Sequence, residues 1–156
     1  MIEIFTDGAS SGNPGPGGYG AILRSGQHYK ELSEGFRKTT NNRMELLAVI
    51  KALEALKGHG QQVMIYSDSK YVIDAIEKRW VNGWLAKGFK DKKNKDLWLR
   101  YLELAKLHHI KFTWVRGHNG HPENERCDVL AVAAGKQPNL LIDSVFEAEA
   151  AKGGLL

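Results

Sequence analysis

Three β-rich runs open the chain with short gaps and no intervening helix: residues 2–6, 19–24 and 29–36. This spacing predicts an antiparallel meander, because parallel pairing needs a crossover of a dozen residues or more. The first run stops at Asp7-Gly8, a turn signal. Residues 9–18, rich in Gly, Pro and Ser, read as a loop. After residue 38 the pattern changes. Thr39-Thr40-Asn41-Asn42 offers Thr40 or Asn41 as a helix cap, and Glu45 follows in the first turn, as a capping box would place it. Residues 44–57 then repeat apolar side chains at helical spacing until Gly58 and Gly60.

Residues 63–67 are mostly apolar and are expected to form a central strand buried on both faces, ending at Asp68. Helices are expected over 70–80, 96–107 and 122–134, the last opened by Pro122 at a first helical position. Residues 110–115 alternate as a strand. The tail from residue 137 carries no decisive signal. The order predicts an α/β protein: a mixed five-stranded sheet, three antiparallel strands and then two parallel ones, flanked by helices.

The chain has 156 residues, which fits a single domain over 1–156 with a core sufficient without disulfides. Its one cysteine, Cys127, excludes an internal disulfide and suits a reducing, cytoplasmic setting. The N-terminus has no signal-peptide pattern, and no apolar stretch approaches the ~20 residues that span a bilayer. The start at Met1 just before the first strand favours a free-standing protein over a piece of a polyprotein. No obligate protein partner is expected, and a monomer suffices. The net charge of +4 is compatible with a polyanionic partner. Lys87, Lys90, Lys92, Lys93 and Lys95 crowd one segment. On charge alone, that segment reads equally well as a solvated connector.

Asp7 and Asp68 end strands, where ligands of α/β sheets gather, and Glu45 and Asp128 lie on helices that can face them. Carboxylates brought together raise one another's pKa unless a cation stands between them. Oxygen-only ligands favour hard ions such as Mg²⁺ or Mn²⁺. Two such ions about 4 Å apart can activate water and stabilise the leaving oxygen of a phosphodiester. Each acid also has an ordinary reading. Asp7 suits a turn, Glu45 a capping box, Asp68 an N-cap, and Asp128 a solvated helix face. Spacing alone does not decide among these.

The surrounding motifs do. Ile4-Phe5-Thr6-Asp7-Gly8, Gly12-Asn13-Pro14-Gly15-Pro16-Gly17-Gly18-Tyr19-Gly20 and Thr39-Thr40-Asn41-Asn42-Arg43-Met44-Glu45-Leu46 stand in order. Ser67-Asp68-Ser69, Trp114-Val115-Arg116-Gly117-His118 and Gly120-His121-Pro122-Glu123-Asn124-Glu125-Arg126-Cys127-Asp128 complete the series. Over about residues 1–135 the chain resembles bacterial-type ribonuclease H of type 1. The resemblance implies a ribonuclease H-like fold. It implies an endonuclease that cuts the RNA strand of RNA–DNA hybrids, leaving 3′-hydroxyl and 5′-phosphate ends. Asp7, Glu45, Asp68 and Asp128 then hold two metal ions, Mg²⁺ or Mn²⁺, and His118 assists proton transfer or product release. The resemblance assigns Asn13, Asn41 and Asn42 to the minor groove, where amides can read a 2′-OH. Lys38 and Thr40 are assigned to a DNA phosphate. Residues 80–95 become a basic handle in which Trp80, Trp84 and Phe89 interleave with Lys87 and Lys90. Trp80 and Trp84, four apart, equally suit helix packing.

Three departures from the family pattern bear on substrate binding. Lys70 stands where glutamine is frequent, which removes the expectation of one groove contact, while a lysine there could bind a phosphate instead. Ser10 stands where cysteine is frequent, and the connector from Phe89 to Asp96 is short.

Two other signals point elsewhere and fail. Gly15-Pro16-Gly17-Gly18-Tyr19-Gly20 satisfies G-x-G-x-x-G, but a strand and not a helix is expected after it, against a dinucleotide site. His118, His121 and Cys127 lack a zinc-finger spacing and a fourth ligand. The competing function is a non-catalytic hybrid- or duplex-binding module. Four acids beside a phosphate argue against it unless cations sit between them.

Overall fold

The computed structural model describes residues 1–116 and 120–154. Five strands, β1 (Ile2–Ser10), β2 (Gly15–Ser25), β3 (His28–Thr39), β4 (Gln62–Ser67) and β5 (His109–Trp114), form one sheet in the order β3-β2-β1-β4-β5. β1–β2 and β2–β3 pair antiparallel, while β1–β4 and β4–β5 pair parallel. This is the mixed sheet expected from the meander followed by helical crossovers.

Six helices are described: α1 (Asn41–Glu54), α2 (Lys70–Glu77), α3 (Trp80–Ala86), α4 (Lys95–Ala105), α5 (Pro122–Gly135) and α6 (Ser144–Gly154). The main core lies between one sheet face and α1, α2 and α4. Ile4, Met44, Leu46, Ile50, Ile65 and Trp98 meet there with almost no exposure. A smaller apolar cluster on the other face joins Phe5 and Ile22 to Cys127 of α5.

The first two strands are longer than expected, and the stretch read as a loop is mostly strand. Asp7 lies inside β1, opposite Gly20, rather than at its end. The glycines that signalled a turn serve another purpose. A Cβ at Gly18 would crowd the Ala131 carbonyl, and one at Gly20 would collide with that of Cys127. Side-chain-free strand is what lets the α5 backbone lie directly on the sheet.

β4 departs from the expected double burial. Val63, Ile65 and Ser67 are buried, but Met64 and Tyr66 are half-buried, and the strand stands fourth of five. α1 begins at Asn41, with Thr40 as its cap accepting from the Arg43 N–H at 3.2 Å. Arg43 therefore occupies the capping-box position, and Glu45 belongs to the second turn. Ser69, not Asp68, caps α2 by accepting from the Val72 N–H at 3.2 Å. The handle segment contains α3, which sequence patterning did not separate from α2. Residues 138–154 of the tail are ordered. Leu141 bridges to Phe36 on β3, and α6 follows. No helix among the described residues is long and apolar enough to cross a membrane.

Candidate metal centre and nucleic-acid groove

Parallel pairing of β1 with β4 runs to Phe5–Tyr66, and two residues further along each strand stand Asp7 and Asp68. Glu45 reaches them because Gly8 lets α1 press onto β1. A Cβ at Gly8 would collide with the backbone of Met44 and Glu45. Carboxylate oxygens of Asp7, Glu45 and Asp68 consequently lie within 4.8 Å of one another.

Burial, with the nearby charge of Asp68 adding to it, lifts the Asp7 carboxyl from its ordinary 3.8 to about 7, although contacts from Glu45 and the Gly8 N–H pull the other way. Burial and the Asp7 charge push Glu45 well above the usual carboxylate range. Glu45 Oε1 is buried with no hydrogen-bond partner among the described residues. Three acids this close, one with an orphaned oxygen, are costly unless compensated. The all-oxygen donor set fits a hard divalent cation. Asp128, half-buried on α5, lies outside the group of three, yet its charge contributes to raising Asp7. His118 lies outside the described residues.

The predicted substrate residues fall into distinct settings. Asn41 Oδ1 accepts from the Ser10 N–H at 2.6 Å and from its hydroxyl at 2.9 Å, and the Asn41 N–H donates to Asn13 Oδ1 at 3.1 Å. This mesh ties the β1–β2 connection to the start of α1. Asn13, Thr40 and Asn42 line a ≈ 560 Å³ cleft together with Trp80 and Trp84. Lys87 and Lys90 share a second cavity with the same two tryptophans. Trp80 is 47% exposed, so helix packing does not account for it. Trp84 is half-buried and meets Trp98 edge-on at 6.0 Å. Lys38 is exposed on β3. Lys70 lies over the Trp114 ring at 4.8 Å, and the Trp114 indole donates to the Asp68 carbonyl at 3.3 Å.

Phe89 corrects the sequence expectation. It is 4% exposed and packs into the main core, so it has no open face for a nucleotide. A positive φ of 60° at Phe89 turns the chain back and aims the ring inward.

Sequence reasoning missed Arg43 altogether. Its guanidinium, 3% exposed, bonds Asp143 from Nε at 2.7 Å and from Nη2 at 2.9 Å, and Asp96 at 2.9 and 2.8 Å. Thr39 donates to the same Asp143 carboxylate at 2.8 Å, and Asn94 Oδ1 accepts from Arg43 at 3.3 Å. The cluster locks together the start of α1, the base of the handle and the C-terminal segment. An arginine in the first turn of a helix carried no signal of burial, because its partners lie 53 and 100 residues away.

The ribonuclease H family model matches residues 1–136. The chain belongs to the ribonuclease H family. Ribonuclease H of Desulforamulus reducens is 60% identical over 147 residues, covering 91% of this chain and 92% of that relative. Ribonuclease H of Klebsiella pneumoniae is 55% identical over 145 residues, covering 90% and 92%. Among solved structures, LC9-RNase H1 aligns with a TM-score of 0.76 at 33% identity, over 96% of this chain and 80% of that one. LC11-RNase H1, solved in complex with an RNA/DNA hybrid, aligns at 0.65 and 25% identity over 86% and 96%. Family and fold support ribonuclease H activity, cleavage of the RNA strand of hybrids, by an enzyme with an acidic cluster suited to metal.

Proposed function

We propose that the chain is a single-domain, monomeric cytoplasmic endonuclease that hydrolyses the RNA strand of RNA–DNA hybrids and leaves 3′-hydroxyl and 5′-phosphate ends. The convergence of Asp7, Glu45 and Asp68 within 4.8 Å, with a buried Glu45 oxygen that has no hydrogen-bond partner among the described residues, carries the reading. Two divalent cations, Mg²⁺ or Mn²⁺, would supply a water of lowered pKa and charge neutralisation at the departing 3′-oxygen. Asp7, Glu45 and Asp68 would hold them, with Asp128 as the fourth carboxylate.

The chain's own groups account for the remaining requirements. Gly8 and the Asn13–Asn41–Ser10 mesh fix Glu45 and the asparagines relative to β1. Asn13, Asn41 and Asn42 offer amides that can both donate to and accept from a 2′-OH. Thr40, Lys38 and Lys70 are suited to phosphates, and Trp80, Trp84, Lys87 and Lys90 to the partner strand, where ring faces and ammonium groups serve any base sequence. His118 is the group for proton transfer near neutral pH.

The test is cleavage of matched RNA–DNA, RNA–RNA and DNA–DNA duplexes across a Mg²⁺ titration, with Glu45→Gln alongside. Cutting of the hybrid alone is expected. The variant should be slower by roughly a thousandfold, the rate equivalent of several kcal/mol of charge stabilisation. Binding of hybrid without cleavage at any Mg²⁺ concentration would overturn the proposal.

A further inference from the structure

The cleft beside the N-terminus of α1 is lined by α6 as well. Phe146, Glu149 and Ala150 border its ≈ 560 Å³ volume together with Asn13 and Asn42. Lys92 and Lys93 line the same cleft. α6 is firmly seated. Asp143, the residue before it, is clasped by Arg43 at 2.7 Å. Arg37 makes a two-pronged contact with Glu147, both bonds at 2.9 Å. The Phe146 ring lies 5.9 Å from the Arg43 guanidinium carbon. Glu147 is thus committed to Arg37. Glu149, exposed, has no ion-pair partner among the described residues, and it is the one acidic residue bordering a cleft whose other lining includes three asparagines, aromatic rings and two lysines.

The cleft adjoins the reaction site along α1. Asn42 and Glu45 are three residues apart, about 4.5 Å along the helix axis. Sequence-independent recognition chemistry of rings and ammonium groups sits on the α1 N-terminal side. A duplex with one strand on the acidic cluster therefore has its complement matched on the cleft side. We propose that α6 is the outer wall of the channel that takes the uncut strand, and that Glu149 sets how tightly that strand's phosphates are held. The inference rests on the hybrid-cleavage reading and extends it to a segment beyond the matched family region. A fixed carboxylate at the channel edge opposes a polyanion, offsets part of the lysine attraction and favours release of the duplex after cutting.

Steady-state hydrolysis of a labelled hybrid by the full chain, over a range of salt concentrations, tests this with Glu149→Gln, Glu149→Lys and Glu103→Lys. Glu103 is 74% exposed on α4 beside Lys106 and outside the cleft, so Glu103→Lys changes net charge equally without altering the channel. Glu149→Lys is expected to lower KM by about three- to tenfold. It should also steepen the dependence of log KM on log salt by about one unit, one added phosphate contact. Glu149→Gln should fall between Glu149→Lys and the parent, and Glu103→Lys should stay within about twofold of the parent. Equal shifts in Glu149→Lys and Glu103→Lys would reduce the effect to bulk charge and overturn the proposal, as would an unchanged KM and slope in Glu149→Lys. A parent chain that cuts no hybrid would instead sink the underlying functional reading, a distinct result.

Discussion

Asp7 shows what a single buried carboxyl does to the protein around it. Its pKa is raised to about 7, chiefly by burial. A carboxyl with a raised folded pKa binds its proton more tightly folded than unfolded. Its contribution to stability is therefore complete below 3.8 and is lost as pH climbs through about 7. Metal-free protein should accordingly melt at a Tm lower at pH 8 than at pH 5 by roughly 5–10 °C, for a linkage of a few kcal/mol in a domain of this size. Asp7→Asn should flatten that dependence, and millimolar Mg²⁺ should restore the parent at pH 8. A metal-free Tm that is flat or rises over this interval would contradict the charge crowding described for the cluster. All three convergent acids were legible as candidates from their motifs. Their proximity was not, because it depends on Gly8 admitting α1, a clash avoided between residues 36 positions apart or more.

At the scale of elements, the helices and the sheet order followed from apolar periodicity and turn spacing. The exceptions share a cause. Glycine at 18 and 20 signals a turn locally, but here it marks strand overlaid by a helix that arrives more than 100 residues later. The C-terminal segment was equally opaque, since α6 is held by ion pairs rather than by an apolar stripe. The Arg43 cluster is the joint among these pieces. Burial works against its charge, yet Asp96 and Asp143 hold Arg43 firmly protonated, and burial is likewise outweighed at Asp96, whose carboxyl is held below its usual range by Arg43. Removing one member strands a charge among apolar neighbours. Asp143→Asn should cost about 3 kcal/mol or more in a urea titration. Asp96→Asn should cost less, because the Asp96 side chain is 26% exposed and solvent screens its loss. Equal costs for the two would show that Asp143 is not the anchor of the C-terminal segment.

For the whole molecule, the proposed function would divide binding and chemistry between two separate regions, the positively charged handle and the acidic cluster. Lys87 and Lys90 cluster with Trp80 and Trp84, while Asp7, Glu45 and Asp68 converge at the sheet. The double variant Lys87→Ala with Lys90→Ala should raise KM for the hybrid and make log KM less dependent on log salt by up to about two units, with kcat little changed. A fall in kcat without a change in salt dependence would place these lysines outside the binding face. Composition announced a basic protein. Only the fold reveals that two tryptophans stand with those lysines while Phe89, from the same run, is drawn inward.

The position of β1 bears on how the chain is born. Its antiparallel neighbour β2 is translated next, but its parallel neighbour β4 spans Gln62–Ser67, and the helix that covers Gly18 and Gly20 is Pro122–Gly135. A nascent chain thus carries an open strand edge until β4 emerges from the ribosome, and a bare sheet face until α5 has been made. Prematurely terminated products display both surfaces and are the species most exposed to edge-to-edge aggregation.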